Sequence, residues 1–355
     1  MSPITPCIAF YSLQISRTLN HTTFMLEDWS GAVVYLFKMW LCIITLIVGY
    51  WTVKWFLERL KVEHYGEKYV FITGCDTGFG NILAKRLDGL GFHVIAACLK
   101  QDGADELKKT SSERLQTLQL DITSEDDIKS ALTKVNSILP PSKGLWAVVN
   151  NAGIMGAFGP SECLNRKDYM EAMDVNVYGL IDVTKMFIPL VRRERGRIVN
   201  MASVAGRLSG GFPIYCVTKY GVEAFSDSLR REVYCQGIKV IILEPGAFIT
   251  NITNPTLIKE NYQRTFKQGD AACQQYYGED FINKRINNHL KVLDFPGNID
   301  AVIDAYEHAI TARYPKYRYL CGNDAKYFYR FLWTVPEWMS DFILCYSSPR
   351  PAGIK

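Results

Sequence analysis

A tyrosine and a lysine four residues apart, Tyr215 and Lys219, are the residues of this chain best suited to proton transfer. On a helix this spacing places both side chains on one face, about one turn apart. A phenol has a pKa of about 10, and a neighbouring ammonium group favours the phenolate and lowers that pKa. The pair could therefore move a proton on or off an alcohol oxygen, if other elements position a substrate beside it.

Two further polar residues could complete such a site. Ser203 follows a predicted strand, and Tyr215 comes twelve residues later, at the start of a predicted helix. Asn176 lies inside a long helical pattern, 168–192. The alternatives are a helix cap for Ser203, an ordinary polar helix position for Asn176 and a solvated ammonium group for Lys219.

A glycine-rich turn, 73–80, joins a predicted strand to a predicted helix. Its glycines are Gly74, Gly78 and Gly80. Glycine lets the backbone turn sharply and approach a pyrophosphate, which the amino terminus of the following helix stabilises. The spacing departs from the G-x-G-x-x-G pattern, and an ordinary tight turn is the alternative. Because the turn lies between a strand and a helix, we expect a dinucleotide there.

The choice between NAD and NADP depends on the residues after the second predicted strand, 93–98. An acidic residue there would hold the ribose hydroxyls of NAD, and an arginine would accept the extra phosphate of NADP. The chain has Leu99 and Lys100 instead, and Lys100 leaves NADP open. Asp121 follows the third predicted strand and could face the adenine. The alternative for Asp121 is a cap on the helix that starts near Ser124.

Strands and helical patterns alternate along the chain, which indicates a parallel sheet with helices on both faces. The predicted strands are 68–73, 93–98, 115–120, 145–149, 197–201 and 239–244. Ligands of such sheets bind at the carboxyl ends of the strands. Five features fall at those ends: the glycine turn, Asp121, Asn150, Ser203 and Pro245. We expect Asn150 to pin neighbouring strands, and the small residues after it to leave room for a flat cofactor.

An apolar segment, 31–53, contains Lys38 as its only charged residue. Its 23 residues, as a helix, can cross a hydrocarbon layer of ~30 Å. We expect a membrane anchor at 31–56, and a half-inserted anchor or a buried core helix are the alternatives. The preceding 1–30 lacks the features of a signal peptide and is interpreted as a disordered extension.

Basic residues follow this segment, at Lys54, Arg59, Lys61 and Lys68. Positive residues favour the cytosolic side of a membrane, so the catalytic domain is expected in the cytosol. A native glycan on the acceptor sequence that begins at Asn251 would contradict this orientation.

The charge and the cysteine content narrow the possible partners and the compartment of the protein. The formal charge of the 355 residues is +4, which gives no support for a nucleic-acid partner. The ten cysteines form no C-x-x-C pair, and several lie in apolar stretches. This pattern favours reduced, buried thiols over a disulfide framework or a metal site, and it agrees with a domain that faces the cytosol.

The carboxyl-terminal third carries weaker signals. Residues 251–295 are rich in Asn, Gln and Tyr, and we expect an irregular segment there, where a substrate lid would lie. Residues 299–311 predict an amphipathic helix. The tail, 321–355, is aromatic, with Tyr327, Phe328, Tyr329, Phe331, Trp333, Trp338 and Phe342. It either contacts the membrane or covers the core.

The glycine turn, 150–153, Ser203 and Tyr215-x-x-x-Lys219 together resemble the short-chain dehydrogenase/reductase family, over residues 68 to about 255. Four further segments are similar to the branch of microsomal retinol dehydrogenases and 17β-hydroxysteroid dehydrogenase type 6: 69–76, 221–231, 311–315 and 324–326. The resemblance implies a Rossmann-like, doubly wound α/β fold with a single catalytic domain, 66–320, after the amino-terminal transmembrane helix.

The resemblance also implies roles for the candidate residues. Tyr215 would exchange a proton with the substrate oxygen, and Lys219 would lower the pKa of Tyr215 and bind the nicotinamide ribose. Ser203 would hold the substrate oxygen, and Asn176 would hold a water that links Lys219 to solvent. The predicted cofactor site comprises Gly74, Asp76, Thr77, Gly78, Phe79, Gly80, Asp121, Asn150, Ala152, Gly153, Tyr215, Lys219, Pro245, Gly246 and Thr250.

The sequence thus predicts an NAD-dependent dehydrogenase that acts on retinol or a hydroxysteroid, anchored in the endoplasmic reticulum membrane, with a homodimer as a further expectation. One alternative is 3-hydroxybutyrate oxidation in mitochondria. The anchor and the lack of an Arg-rich amphipathic amino terminus weigh against it. Another is a catalytically silent NAD-binding membrane scaffold, which the intact set of Ser203, Tyr215 and Lys219 weighs against.

Overall fold

The computed structural model describes residues 33–294, 297–346 and 348–354. It divides the chain into two compact units, Met1–Leu60 and Lys61–Lys355. The predicted disordered extension, 1–30, lies outside the described residues.

The first unit contains one described helix, α1, at Val33–Arg59. It has 27 residues, and its most apolar 18-residue window has a mean hydropathy of 2.0. At 1.5 Å per residue the helix is about 40 Å long, which exceeds a hydrocarbon layer of ~30 Å. None of that window is buried, as expected of a helix that lipid covers. The helix predicted there is confirmed, and by length and composition it is a candidate membrane span.

The second unit is built on one parallel sheet. Its strands are β1 Tyr69–Thr73, β2 His93–Cys98, β3 Leu115–Gln119, β4 Ala147–Asn150, β5 Arg197–Met201, β6 Lys239–Pro245 and β7 Arg318–Cys321. They lie in the order 3-2-1-4-5-6-7, and every neighbouring pair is parallel. The order reverses direction between β1 and β4, so the sheet opens a crevice at the carboxyl ends of those strands. The six predicted strands are confirmed, whereas β7 was not predicted.

Helices cover both faces of the sheet. They are α2 Gly78–Gly89, α3 Gln101–Lys109, α4 Glu125–Ile138, α5 Arg166–Met173, α6 Leu180–Arg193, α7 Pro213–Glu232, α8 Pro255–Gln268, α9 Ala271–Val292, α10 Asp300–Thr311, α11 Arg330–Leu332 and α12 Glu337–Cys345. One buried cluster joins the sheet to α2, α3 and α10, and another joins it to α4, α6 and α7. The predicted doubly wound architecture is therefore confirmed.

The predicted helix at 168–192 is not continuous. A π-helical turn, Asp174–Gly179, separates α5 from α6 and contains Asn176. Such turns widen the helix locally and are frequent at functional sites. A hydrophobic period of 3.6 residues cannot reveal this insertion, because α5 and α6 on either side of it keep helical spacing.

Two predictions about the carboxyl-terminal third and the cysteines are wrong. Residues 251–295 are largely helical, since α8 and α9 occupy most of the segment, with a break at Gly278 inside α9. Cys163 and Cys273 form a disulfide, so the cysteines are not all reduced thiols. These two residues are 110 positions apart, and only the packing of α9 onto the loop after β4 brings them together.

Candidate active site at the carboxyl ends of the strands

The glycine turn leaves β1 and enters α2 through two left-handed residues, Gly74 with φ 70° and Gly78 with φ 64°. L-residues with a Cβ rarely adopt this conformation. Thr77, before α2, makes no side-chain cap to the helix. The helix therefore begins with backbone N–H groups that can serve an anion, which is the arrangement that a pyrophosphate requires.

Gly80 is needed because the turn packs tightly against the loop after β4. A Cβ on Gly80 would collide with the carbonyl oxygen of Gly74 and the side-chain amide of Asn151. That amide donates hydrogen bonds of 3.0 Å to the carbonyl oxygens of Thr73 and Gly74. The turn and the loop after β4 are thus held as one rigid surface.

Asp76 links the glycine turn to the backbone that follows β2. Its carboxylate accepts hydrogen bonds from the backbone N–H of Leu99 (2.9 Å) and of Lys100 (2.8 Å). It fixes the backbone after β2, where the adenine ribose of a dinucleotide would bind. The sequence placed Asp76 in the site but did not show this positioning role.

Asp121 lies beside the same crevice. Its carboxylate accepts bonds from the backbone N–H of Thr123 (2.9 Å) and from the Thr123 hydroxyl (2.7 Å). Ser124, and not Asp121, caps α4, because its hydroxyl accepts from the N–H of Asp127. The capping alternative for Asp121 is therefore wrong.

A first cavity of about 350 Å³ lies along this surface. Its walls include Gly74, Asp76, Thr77, Gly78, Phe79, Asp121, Ala152, Gly153 and Thr250 of the predicted cofactor site. The cavity, the left-handed glycines and the uncapped start of α2 fit a dinucleotide. The other walls include Ile122, Thr123, Ile154, Val175, Asn251 and Ile252.

Asn150 lies behind the site rather than in it. It is buried, and its amide donates 2.8 Å hydrogen bonds to Thr184 on α6 and to Asn200 on β5. Asn200 in turn donates to Ser226 on α7. The predicted pinning of neighbouring strands is confirmed, and the structure gives the Asn150 side chain no position on the cavity wall.

A second cavity of about 400 Å³ adjoins the first, because Phe79, Thr250 and Ile252 line both. Ser203 and Tyr215 lie in its wall. The hydroxyl of Ser203 accepts from the N–H of Ala205 (3.2 Å), and its oxygen lies 3.3 Å from the Pro245 carbonyl.

Lys219 lies beneath these two residues. It is buried, and its Nζ donates to the Met201 carbonyl (2.9 Å) and lies 5.5 Å from the centroid of the Tyr215 ring. Gly153 packs over it, since a Cβ there would stand 3.7 Å from Nζ and 3.1 Å from the Asn176 Oδ1. The structure thus brings the predicted catalytic residues together.

The expected lowering of the tyrosine pKa is not found in the protein by itself. Burial raises the pKa of Tyr215 to about 12, although its hydrogen bond with Ser203 lowers that pKa. Burial also lowers the pKa of Lys219 to about 8, and Glu223 opposes that shift. Desolvation is the largest influence on the pKa of Tyr215 and outweighs the hydrogen bond with Ser203. Tyr215 is accordingly a proton donor near neutral pH.

Asn176 bonds the loop after β4 to the helix that carries the catalytic pair. Its Oδ1 accepts from the Ile154 N–H, and its Nδ2 donates to the Ile154 carbonyl (both 2.8 Å) and to the Thr218 hydroxyl (3.0 Å). Both amide protons are therefore used within the protein. A water held by Asn176 stays a prediction.

The loop after β6 is held by a residue that sequence reasoning did not select. Asp324 accepts from the N–H of Ala247 (2.7 Å), and its carboxylate occupies the place where Gly246 would carry a Cβ. Gly246 also donates to the Cys321 carbonyl at 3.0 Å. Pro245 and Gly246 therefore line the second cavity and not the first.

Sequence reasoning also missed the far wall of the second cavity. The residues of α9 that line it are Arg285, Asn288, His289 and Val292, followed by Leu293 just after the helix. Further lining residues are Tyr262, Phe328, Tyr329, Ile343 and Leu344. The spacing i, i+3, i+4, i+7 of the α9 residues is that of one helix face and could have revealed them.

Comparisons with known proteins agree with this geometry. The family model described as short chain dehydrogenase matches residues 68–261. The chain is 45% identical over 316 residues to retinol dehydrogenase 16 of Rattus norvegicus, which covers 88% of this chain and 99% of that protein. It is 43% identical over 315 residues to 17-beta-hydroxysteroid dehydrogenase type 6 of Homo sapiens, with the same two coverages.

Among solved structures, a short-chain dehydrogenase from Streptomyces avermitilis superimposes with a TM-score of 0.62 at 24% identity. The match covers 80% of this chain and 97% of that structure, and it shows the fold. With the family model and these relatives, the fold and the site lead to one conclusion: the chain belongs to the short-chain dehydrogenase family and is an oxidoreductase of that family.

Proposed function

We propose that the protein is an NAD-dependent dehydrogenase of a hydrophobic alcohol, either retinol or a hydroxysteroid. One observation carries the proposal: Ser203 and Tyr215 line a large cavity that joins the dinucleotide cavity, with Lys219 buried beneath them. Two relatives that each span 88% of the chain are named as a retinol dehydrogenase and a 17-beta-hydroxysteroid dehydrogenase.

The residues divide the chemistry among them. Ser203 positions the substrate oxygen, and Tyr215 exchanges a proton with it. Lys219 adds positive charge beneath the phenol and would hold the nicotinamide ribose. When bound, the nicotinamide gives or takes the hydride. Since Tyr215 is protonated near neutral pH, the protein alone is set to donate a proton to a carbonyl oxygen.

NAD is the proposed cofactor. The residues after β2 include no arginine, and Asp76 bonds their backbone, which leaves no built site for a 2′-phosphate there. Lys100 is exposed and is the group through which NADP could be bound. Fluorescence titration of NADH and NADPH tests the proposal: a Kd for NADPH equal to or below that for NADH contradicts it.

We propose that α1 anchors the enzyme in the endoplasmic reticulum membrane with the second unit in the cytosol. The basic residues that follow the apolar segment support this orientation. Reduced cysteines would have supported a cytosolic domain, but Cys163 and Cys273 form a disulfide, so the cysteines no longer support that orientation. Asn251 lines the cofactor cavity, so a glycan there would obstruct it. Protease digestion of sealed microsomes tests the orientation, because a protected catalytic domain contradicts it.

The carboxyl-terminal segment is proposed as a second membrane contact. Tyr327, Trp338 and Phe342 are 72%, 71% and 66% exposed, whereas their neighbours Tyr329 and Leu344 line the second cavity. The segment therefore joins an exposed aromatic surface to the wall of the cavity. Trp338→Glu with Phe342→Glu should weaken the membrane association of a chain that lacks α1. Unchanged membrane association would contradict the proposed membrane contact of this segment.

The decisive experiment for function is a substrate screen. Full-length protein in membranes is mixed with NAD and with all-trans-retinol, androstanediol or 3-hydroxybutyrate, and NADH fluorescence is followed. We expect turnover of retinol or the steroid. Turnover of 3-hydroxybutyrate alone supports the mitochondrial alternative, and NADH binding with no turnover supports the scaffold. Chemical cross-linking in the same membranes tests the predicted homodimer.

A further inference from the structure

The loop after β6, residues 246–253, contributes to the walls of both cavities. Thr250 and Ile252 line the first cavity and the second. Where the loop begins, the Pro245 carbonyl oxygen lies 3.3 Å from the hydroxyl oxygen of Ser203. The position of this one loop therefore affects the space for the dinucleotide, the space for the alcohol and the orientation of a candidate catalytic hydroxyl.

Asp324 holds the start of this loop from the carboxyl-terminal segment. β7 pairs with β6 so that Cys321 lies beside Pro245, and the chain then turns at Gly322, whose φ is 96°. Two residues later the carboxylate of Asp324 accepts a 2.7 Å hydrogen bond from the N–H of Ala247. Hydrogen bonds to an ionised acceptor are about twice as strong as neutral ones. The segment after β7 thus fixes the backbone after β6.

Two glycines leave the space that this carboxylate fills. A Cβ on Gly246 would collide with both carboxylate oxygens of Asp324, and a Cβ on Gly322 would collide with one of them. The carboxylate fits only because neither position carries a side chain. By contrast, the neighbouring Asn323 is exposed, and its side chain makes no cap to the turn that follows. The two glycines and the Ala247 N–H therefore form a site that is fitted to one carboxylate.

Further contacts link the start of the loop to the part that lines both cavities. Phe248, directly after Ala247, is 3% exposed, and its ring meets that of Phe79 edge-on at 5.7 Å. Phe79 lines both cavities. The Phe248 carbonyl accepts a bond from the Thr253 hydroxyl (2.9 Å), which in turn accepts from the Thr250 N–H (2.8 Å). A shift of Ala247 would therefore displace walls of both cavities.

We propose that Asp324 is a positioning residue for the oxidoreductase reaction, which holds the loop after β6 where the dinucleotide and the alcohol both require it. Asp324 is not among the residues that line either cavity, so it acts through the loop. Accuracy matters here, because a displacement of ~1 Å can cost ~10²-fold in rate. The kinetic part of this inference rests on the proposed function, whereas its cofactor-binding part does not.

The first test removes the carboxylate. Full-length Asp324→Ala in membranes is assayed with NAD and the alcohol that the parent oxidises fastest, and its Kd for NADH is measured by fluorescence titration. We expect kcat to fall by ~10–100-fold, because the loop loses its fixed position. We expect the Kd of NADH to rise by about fivefold, as for the loss of one hydrogen bond. Values of kcat and Kd that both stay within about twofold of the parent overturn the proposal.

A conservative variant and a neighbouring control assign the effect to the hydrogen bond. Asp324→Asn keeps an acceptor oxygen on a side chain of the same size, and it should recover most of the loss seen in Asp324→Ala. Asn323→Ala, one residue earlier and exposed, should behave like the parent. An Asn variant as impaired as the Ala variant shows that the bond to Ala247 is not the cause, which contradicts the proposal.

A double-mutant cycle tests the fit between the carboxylate and Gly246. Gly246→Ala places a Cβ where the carboxylate lies, so by itself it should impair kcat and NADH binding as Asp324→Ala does. In the Asp324→Ala background that space is empty, so the same Cβ should add little. The double variant should therefore be much less impaired than the product of the two single losses. Losses that multiply would show that the two residues act independently, against the proposal.

Thermal unfolding separates a positioning role from a structural one. A residue that only stabilises the fold lowers Tm, yet its variant has the parent's kcat and Kd well below the Tm. That pattern in Asp324→Ala counts against the proposal. Failure of the proposed function gives a different result. If no alcohol is oxidised but NADH binding follows the predicted series of variants, the function is wrong and the positioning role stands.

Discussion

The two adjoining cavities are built in different ways. The first takes its walls from short stretches around the glycine turn and the loop after β4, joined by bonds such as those of Asn151 to the Thr73 and Gly74 carbonyls. The second takes its far wall from side chains of α8, α9 and the carboxyl-terminal segment. The first cavity therefore depends on backbone conformation, and the second depends on how distant helices pack.

This difference indicates how the protein divides its tasks. A dinucleotide is the same for many enzymes, so a rigid backbone surface suits it. The alcohol differs between enzymes, so its cavity is lined by side chains that can change without disturbing the sheet. Tyr215 and Ser203 lie in the wall of the second cavity, which adjoins the first at Phe79, Thr250 and Ile252. Substitutions in the two regions should therefore separate cofactor binding, alcohol binding and chemistry.

The largest effect is expected in the wall of the second cavity, from Tyr215→Phe. Removal of the hydroxyl that exchanges the proton should lower kcat by ~10²–10⁴-fold. The affinity for NADH should stay nearly unchanged, because the first cavity keeps its walls. Tyr220→Phe, further along α7 and 45% exposed, is the matched control and should behave like the parent. Activity of Tyr215→Phe within about tenfold of the parent would refute its role.

An effect on the second cavity, without one on the first, is expected from the disulfide that holds α9 to the loop after β4. Replacing Cys163 and Cys273 by Ala should lower the free energy of unfolding by ~2–4 kcal/mol, since a native cross-link is lost. The KM for the alcohol should rise, whereas the Kd of NADH should not change. Cys235→Ala, at an exposed free thiol, is the control. Free thiols at both positions in the native protein, measured by alkylation and mass spectrometry, would contradict the disulfide.

Gly80→Ala is expected to weaken cofactor binding and to leave alcohol binding unchanged, the reverse of the effect expected from the disulfide. The new Cβ collides with the Gly74 carbonyl and the Asn151 amide, so the turn must shift at a cost of ~1–3 kcal/mol. NADH affinity should fall markedly. Gly89→Ala, at the other end of α2, has nothing within 4 Å of its new Cβ and should be neutral or slightly stabilising. Equal NADH affinity in the two variants would show that the turn does not need a third glycine.

The smallest effect is expected away from both cavities, at Glu223. Burial and the neighbouring Glu244 raise the pKa of this carboxyl to about 8, although Arg318 lowers it. In the unfolded chain the carboxyl ionises near 4.5, so between these values the folded state binds more protons. Stability should therefore fall as pH rises through this range. Glu223→Gln should flatten the fall of Tm with pH, whereas Glu232→Gln, exposed on the same helix, should not. An unchanged profile in Glu223→Gln would show that another group governs the pH dependence.

Much of the cofactor side could be predicted from local pattern. Gly74 and Gly78 were selected because the turn needs residues free of a Cβ, and their φ angles are left-handed. Strands β2 and β5 were predicted with their observed bounds, because continuous apolar runs between helices indicate buried parallel strands. Asn150 was assigned two roles, and the structure places its side chain in the strand-pinning one.

The rest could not be predicted because the relevant forces act between distant segments. The pKa of Tyr215 depends on desolvation, which no spacing reveals, so a local argument about Lys219 gave the wrong direction. β7 is short and gains its place by pairing with β6. The disulfide requires α9 to lie against the loop after β4.

The sequence by itself determined the alternation of strands and helices, the glycine turn and the choice of Ser203, Tyr215 and Lys219 as candidate catalytic groups. Those features depend on backbone sterics and on periodicity, which act over a few residues. Only the tertiary structure decided which side chains line the second cavity and that Cys163 and Cys273 are joined. Packing and desolvation decide these features, and both are properties of the assembled molecule.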